Sequence, residues 1–209
     1  MEKSRNINVL AVGAHPDDIE IGCGGTIAKH LSVGDKVYVL VLTNGEKGNH
    51  TKGRKECLNS LKNLGVNDIF FGNFPDGFLN DDHKTVNFIE GIINKLNITR
   101  VYTHSPDDRH QDHRNCSRAV SSAARKITEI LLFQGPSTTI FEPHYFVELS
   151  ELDFTKKLSS LQRYESQIQK GTINPRLIRN IAELHGATCS KSFAEAFAIN
   201  HLFREDSDV

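Results

Sequence analysis

Two short clusters carry most of the chemistry this chain can offer. The first is Ala14-His15-Pro16-Asp17-Asp18, with three ionisable side chains in four residues. An imidazole and a carboxylate three positions apart can converge on one cation, and Pro16 stiffens the turn by fixing its own φ. The competing reading makes one aspartate the cap of a following helix and buries His15 on a hydrogen bond. The second cluster is His104-Ser105-Pro106-Asp107-Asp108-Arg109-His110-Gln111-Asp112-His113. His110 and His113 share the i, i+3 spacing that points two rings out of one helical turn. Asp112 stands where a carboxylate could orient a metal-bound imidazole. By itself this pair would serve equally well as the solvated start of a helix.

The elements in front of the clusters decide between these readings. Residues 7–12 and 37–42 are short apolar runs rich in branched side chains, the pattern of buried strands. Between them Ile21, Ile27, Ala28 and Leu31 recur at helical spacing, and Gly34 is placed to end that helix. This is a βαβ unit, which requires a parallel pairing and a right-handed crossover. The alternation continues with a helix over 54–64 stopped by Gly65, a strand at 68–71, a helix over 86–96, a strand at 100–103, a helix over 112–127 and a strand at 130–133. The pattern predicts an α/β fold, a three-layer αβα, Rossmann-like domain with a mostly parallel sheet. After Gly135-Pro136 the rhythm changes to a C-terminal α+β extension. It comprises a strand at 145–149, a helix over 156–169 opened by an Asp153 cap, a helix over 176–184 and a last strand at 195–200. No repeat or linker divides the chain, so residues 1–209 are expected to form a single domain, with a polar tail over 204–209 that frays.

Parallel strands end together, so both clusters fall at one sheet edge, where ligands of open α/β sheets bind. Ionisable groups gathered there are costly to leave unpaired. Two such clusters at one edge make a metal site the expected outcome.

Composition removes other classes. A formal net charge of -1 gives no general attraction to nucleic acid or to a membrane surface. There is no apolar run of about 18 residues to span a bilayer. Cys23, Cys57, Cys116 and Cys189 form no CxxC pair, which argues against a disulfide framework or a cysteine zinc site. The first six residues lead straight into a strand rather than into a signal-peptide core, so the reducing cytoplasm is the expected location. Cys23 is assigned to packing beneath the metal loop. Among the other histidines, His30 is expected on the outer face of the first helix, His50 and His83 in loops, His185 near a helix end and His144 at the entrance. His104 lies near the clusters without a role.

Residues 14–28, Ala-His-Pro-Asp-Asp-Ile-Glu-Ile-Gly-Cys-Gly-Gly-Thr-Ile-Ala, resemble the signature of the LmbE-like, or PIG-L, N-deacetylases. His110-Gln111-Asp112-His113 is similar to the second motif of that family. Further matches are the Leu42-Thr43-Asn44-Gly45-Glu46-Lys47-Gly48 stretch, Arg54, the Pro75-Asp76 turn, Tyr164-Glu165-Ser166-Gln167 and Phe193-Ala194-Glu195-Ala196-Phe197. The likeness runs in order along nearly the whole chain.

The resemblance implies a Zn2+ ion, with Fe2+ as the other candidate metal, held by His15, Asp18 and His113. It implies Asp17 as general base and a protonated His110 as second catalytic residue, with Asp112 in support. Arg54 and Asp76 match positions that hold the sugar ring, and Glu46 could join them from the same sheet edge. Phe193 stands where the family often has Tyr. The implied partner is a small amino-sugar substrate, and since relatives often assemble, a homo-oligomer is within the expectation. Two histidines and one carboxylate leave an open position for water, whose pKa zinc lowers towards about 7. The same trio suits a non-haem iron facial triad, although such a site would not call for Asp17. A non-catalytic sugar binder would require neither Asp17 nor His110. A nicotinamide-binding domain would not place His-Pro-Asp-Asp where a pyrophosphate needs bare backbone.

Overall fold

A computed structural model describes residues 7–203, apart from the side chains of residues 46–51. The tail over 204–209 and the side chains of Glu46 and His50 therefore lie outside the described residues. The strands are β1 (Asn8–Gly13), β2 (Lys36–Thr43), β3 (Asp68–Phe74), β4 (Arg100–His104), β5 (Glu129–Phe133), β6 (Tyr145–Leu149) and β7 (Phe193–Leu202). The helices are α1 (Asp18–Ser32), α2 (Glu46–Leu64), α3 (His83–Leu96), α4 (Gln111–Ala123), α5 (Glu151–Leu161), α6 (Glu165–Gln169) and α7 (Pro175–Thr188). All seven strands join one sheet in the order β3-β2-β1-β4-β5-β7-β6. The first five are parallel, and β7 runs antiparallel between β5 and β6.

Alternation along the strands produces the three layers. Val9 and Ala11 of β1 face a core built with α1, α2, α5 and α7, through Ile27, Leu61, Leu161 and Ile178. Leu10 and Val12 face the opposite core, built with α3 and α4 through Ile89, Ile93, Cys116 and Val120. The chain walks outward through β2 and β3 on one side of β1, then returns to start β4 on the other. This reversal opens a crevice above the carboxyl ends of β1 and β4, as the topology of open sheets requires.

The C-terminal extension braces that crevice from below. α1 is broken at Cys23, whose φ of -144° and ψ of 20° are not helical. The break frees the N–H groups of Gly25 and Thr26, which donate to the Glu195 carboxylate at 2.9 and 2.6 Å. Lys157 of α5 donates to Glu195 at 2.5 Å and to the carbonyl of Ile21 at 2.7 Å. A strand from the end of the chain thus holds the helix that carries the first cluster. Cys23 is fully buried, and burial pushes its thiol well above the ordinary range, which leaves it in packing.

Several boundaries differ from the sequence reading. α2 begins at Glu46, two turns ahead of residue 54, and takes in His50. The helix expected over 156–169 starts earlier and divides into α5 and α6 at Tyr164. Its cap is Ser150, while Asp153 is the reciprocating partner three residues on, so the two form a capping box. His83 opens α3 rather than lying in a loop. His30 is not on an outer face; it is buried between Asp35 (2.7 Å) and the Tyr102 hydroxyl (2.9 Å).

Candidate metal centre and active site

β1 ends at Gly13, and the loop that follows is tied down at once. The carbonyl of Ala14 accepts from the N–H and the hydroxyl of Thr43, both at 2.9 Å. The Asp18 carboxylate turns back to accept the N–H of His15 at 2.6 Å. Asp17 sits between them with a φ of 89°, in the left-handed region that a non-glycine residue occupies at a cost of about 1–3 kcal/mol. It occupies the N-cap position of α1 yet makes no capping bond. The helix-cap reading of this aspartate therefore fails, and its half-buried carboxylate lines the cavity instead.

The second cluster meets the first across the β1–β4 seam. His15 Nδ1 lies 3.2 Å from His113 Nε2, 98 residues away along the chain. Asp18 completes the triangle, with Oδ2 3.5 Å from His15 Nδ1 and Oδ1 3.4 Å from His113 Nε2. Ligands about 2.0–2.1 Å from a tetrahedral zinc stand roughly 3.3 Å apart, close to each of these separations, the two at Asp18 running to different oxygens. Among the described residues, the sets that bring one donor atom each within 4.8 Å of one another are His15 with His110 and His113, Asp18 with His104 and His113, and His15 with Asp76 and Asp112.

Each imidazole of the triangle is held from behind. The far nitrogen of His15, Nε2, is 3.1 Å from Asp112 and 3.3 Å from Asp76. Asp112 is itself fixed, accepting the N–H groups of Gly77 at 2.6 Å and Leu79 at 3.3 Å. The far nitrogen of His113, Nδ1, is 3.2 Å from Asp108, and the Ser137 hydroxyl donates to Asp108 at 2.5 Å. Such carboxylates fix the ring and its tautomer while the other nitrogen faces the metal. Asp108 and Ser137 had no place in the sequence reading, because Ser137 arrives from the loop after β5. His104, left there without a role, stacks on His113 at 4.1 Å and reaches Asp18 at 3.0 Å.

The electrostatics describe a hole for a cation. Burial alone would lower the pKa of His15, but Asp112, Asp18 and Asp76 outweigh it and raise it to about 12. His113 likewise overcomes burial through Asp18 and Asp108 and is raised to about 9. Asp17 differs from its neighbour: burial, reinforced by the charges of Asp18 and Glu20, raises its pKa well above the ordinary range. The adjacent Asp18 is held well below that range despite burial, by His113 and His104.

His110 caps α4, its Nδ1 accepting the N–H of Asp112 at 3.2 Å. Its ring stacks on His113 at 4.7 Å and stands edge-on to His15 at 4.6 Å. Burial, then the charges of His15 and His113, push its pKa down, a direction opposed to the protonated ring that the resemblance implies.

These residues open on a cavity of about 740 Å³ that His15, Asp17, Asp18, Asp76, His110 and His113 all line. Arg54 is not among its lining residues, although Gly45 and Gly53 are. The Arg54 guanidinium lies over the Phe71 ring at 4.0 Å and donates to Asn44 and Asn73 at 3.1 and 3.0 Å. His144, expected at the entrance, is exposed and does not line the cavity. Arg109, Gln111 and Tyr164 do line it, and the sequence reading had given none of them a part.

Residues 10–124 match the family model described as PIG-L, GlcNAc-PI de-N-acetylase. The chain is 38% identical over 172 residues to "Uncharacterized deacetylase YaiS" of Escherichia coli, an alignment covering 76% of this chain and 90% of that protein. It is 28% identical over 216 residues to the diacetylchitobiose deacetylase of Thermococcus kodakarensis, covering 90% of this chain and 80% of that one. Among solved structures, the conserved protein TT1542 of Thermus thermophilus superposes with a TM-score of 0.87 at 24% identity, over 95% of this chain and 97% of the other. The match extends over both clusters and over the strands that present them, and on it the chain belongs to the PIG-L family of deacetylases.

Proposed function

We propose that this protein hydrolyses the N-acetyl group of a small N-acetylglucosamine-type compound, releasing acetate and a free amine. The observation that carries the proposal is Asp17, an uncapping carboxylate of raised pKa beside a triangle of donors that it does not join. A divalent ion held by His15, Asp18 and His113, zinc in our reading, would supply a Lewis acid and bring the pKa of its water towards about 7.

Asp17 takes a proton from the attacking water. Burial makes it a stronger base than an ordinary carboxylate, which suits proton transfer near neutrality. The proton it gains is held in the cavity until the amine departs and carries it away. His110 acts from the other side. With its Nδ1 accepting from Asp112, the neutral ring carries its hydrogen on Nε2, which can donate to the oxygen that gains charge as the carbonyl is attacked. Asp112 and Asp108 keep the two imidazole ligands oriented. Asp76 shares that duty and, from the cavity lining, can also meet a sugar hydroxyl. Arg54, its head fixed by Phe71 and two asparagines outside the cavity lining, and Glu46 would be the further sugar-binding residues.

The test incubates zinc-loaded protein with a panel of N-acetylglucosaminyl compounds and measures acetate and amine together, with and without oxygen. Equimolar release that ignores oxygen is the expected result. A requirement for oxygen would point to the iron reading, and binding without release to a sugar-binding protein.

A further inference from the structure

A second, smaller cavity of about 150 Å³ adjoins the first, and Ile21, Pro136 and Thr172 line both. Two of these shared residues stand beside the triangle of donors. Ile21 stands one helical turn beyond Asp17 and Asp18 on α1. Pro136 precedes Ser137, whose hydroxyl lies 3.3 Å from His113 Nδ1.

The lining is mostly aliphatic. Ile173, Ile178, Ile181, Ala182, Ala194 and Ala196 contribute to it, and Gln134, Asn174 and His185 add polar groups. The charged groups at its base are satisfied by each other, since Lys157 is bound to Glu195 and to the Ile21 carbonyl, and Glu195 also takes two N–H groups of α1. A guest therefore meets hydrocarbon, not unanswered charge. An apolar cavity of this size accommodates about the volume of a benzene molecule.

We propose that this chamber receives the acyl chain of the substrate, and that the enzyme removes N-acyl groups of roughly four to six carbons as well as acetyl. In the reaction proposed above, on which this inference rests, the acyl group is the part of the substrate bonded to the attacked carbon. It is the portion nearest the metal triangle and hence nearest Ile21 and Pro136, which the two cavities share. The chemistry is unchanged. The water oxygen bonds to the acyl carbon, the C–N bond breaks, and the amine leaves with the proton that Asp17 took, so the products are a fatty carboxylate and an amino sugar.

The experiment compares N-acetyl-, N-butyryl- and N-hexanoylglucosamine as substrates of the zinc-loaded wild type, reading free amine. Turnover of the longer acyl groups at or above the acetyl rate is expected. Acetyl turnover with hexanoyl slower by about tenfold or more, a cost larger than burying methylenes would return, overturns the chamber and leaves the deacetylase reading standing. No turnover of any of them overturns the deacetylase reading. Binding then tests the chamber alone, by calorimetry with acetate, butyrate and hexanoate. Each added methylene should tighten binding about threefold to fourfold. Ile181→Trp, which fills the wall, should abolish that gain and leave acetate binding as it was. The half-exposed Leu177 offers a second blocking variant, Leu177→Trp, should the first fail to fold. Affinity that does not grow with chain length, or growth that both variants retain, overturns the proposal. So does a gain from apolar groups on the sugar's other end that Ile181→Trp removes.

Discussion

Asp112 Oδ2 lies 3.1 Å from His15 Nε2, on the side of the ring away from the nitrogen that faces His113. The carboxylate is fully buried and pinned by two backbone N–H groups, so it sets the ring's position instead of following it. Replacing it by alanine should weaken zinc binding by about 10–100-fold while the sheet stays folded. Competition with a fluorescent chelator would measure this, and an unchanged affinity would show that Asp76 alone suffices.

Asp17→Asn keeps the size of the side chain and removes the base. Zinc content should stay at the wild-type level while kcat falls by about 10²–10⁴-fold. A variant with full zinc and full turnover would remove Asp17 from the proton path. The same experiment on His110→Ala should lower kcat with zinc retained, because the triangle does not include that ring.

The metal-free protein should show the opposite pH behaviour from a carboxylate-stabilised fold. His113 has a pKa raised from 6.5 to about 9, so the folded protein holds that proton more tightly than the unfolded chain. The stability this contributes is complete below about pH 6.5 and is lost as pH rises through about 9. Because an incoming metal must displace the same proton, apparent zinc affinity should rise across that window. Zinc titrations at the two ends of the range, with chemical unfolding of the metal-free form alongside, would check both signs. A flat affinity profile would mean that the ring is already unprotonated.

Much of this site was legible because the elements that present it are extreme in composition. Apolar runs at 37–42 and 130–133 leave no role except buried strand, and once strands and helices alternate, the two clusters must meet. The proposed trio and base came from the motif; the structure brings His15, Asp18 and His113 within 3.5 Å of one another and puts Asp17 in the same cavity lining. Other features depended on partners distant in sequence. Asp108 reads as one acid among several until Ser137 arrives from another loop. The start of α2 is polar and glycine-bearing, so no periodicity marks it, and the α5–α6 break is hidden because apolar residues continue across it. Arg54 came from the motif match alone, and no spacing in the sequence shows that Phe71, Asn44 and Asn73 hold its guanidinium outside the cavity lining.

Glycine at position 22 is a steric requirement. A Cβ there would stand 2.2 Å from Cδ2 of Phe133, a fully buried ring that cannot yield. Gly22→Ala should therefore destabilise the fold by about 1–3 kcal/mol through overpacking. Denaturant unfolding of the metal-free variant would show it as a lower midpoint with an unchanged slope.

Removing one member of the buried pair below α1 should be more damaging. Glu195→Ala would leave Lys157 charged and buried with no counter-charge, only the Ile21 carbonyl, and would free two N–H groups at the Cys23 break. The expected loss is about 3–5 kcal/mol, and the double variant with Lys157→Met should recover part of it. Equal stability of the single variant and the wild type would show that the pair carries no net strength.

The seam between β1 and β4 has one more consequence. The two halves of the metal triangle come from loops nearly a hundred residues apart, and strands pairing across that interval are among the slower contacts a chain makes. If the proposed trio holds the ion, neither β1 with α1 nor β4 with α4 supplies all three ligands, so capture by the full set waits until the central strands have zipped. Metal uptake in a refolding chain would then be a timestamp for closure of the sheet.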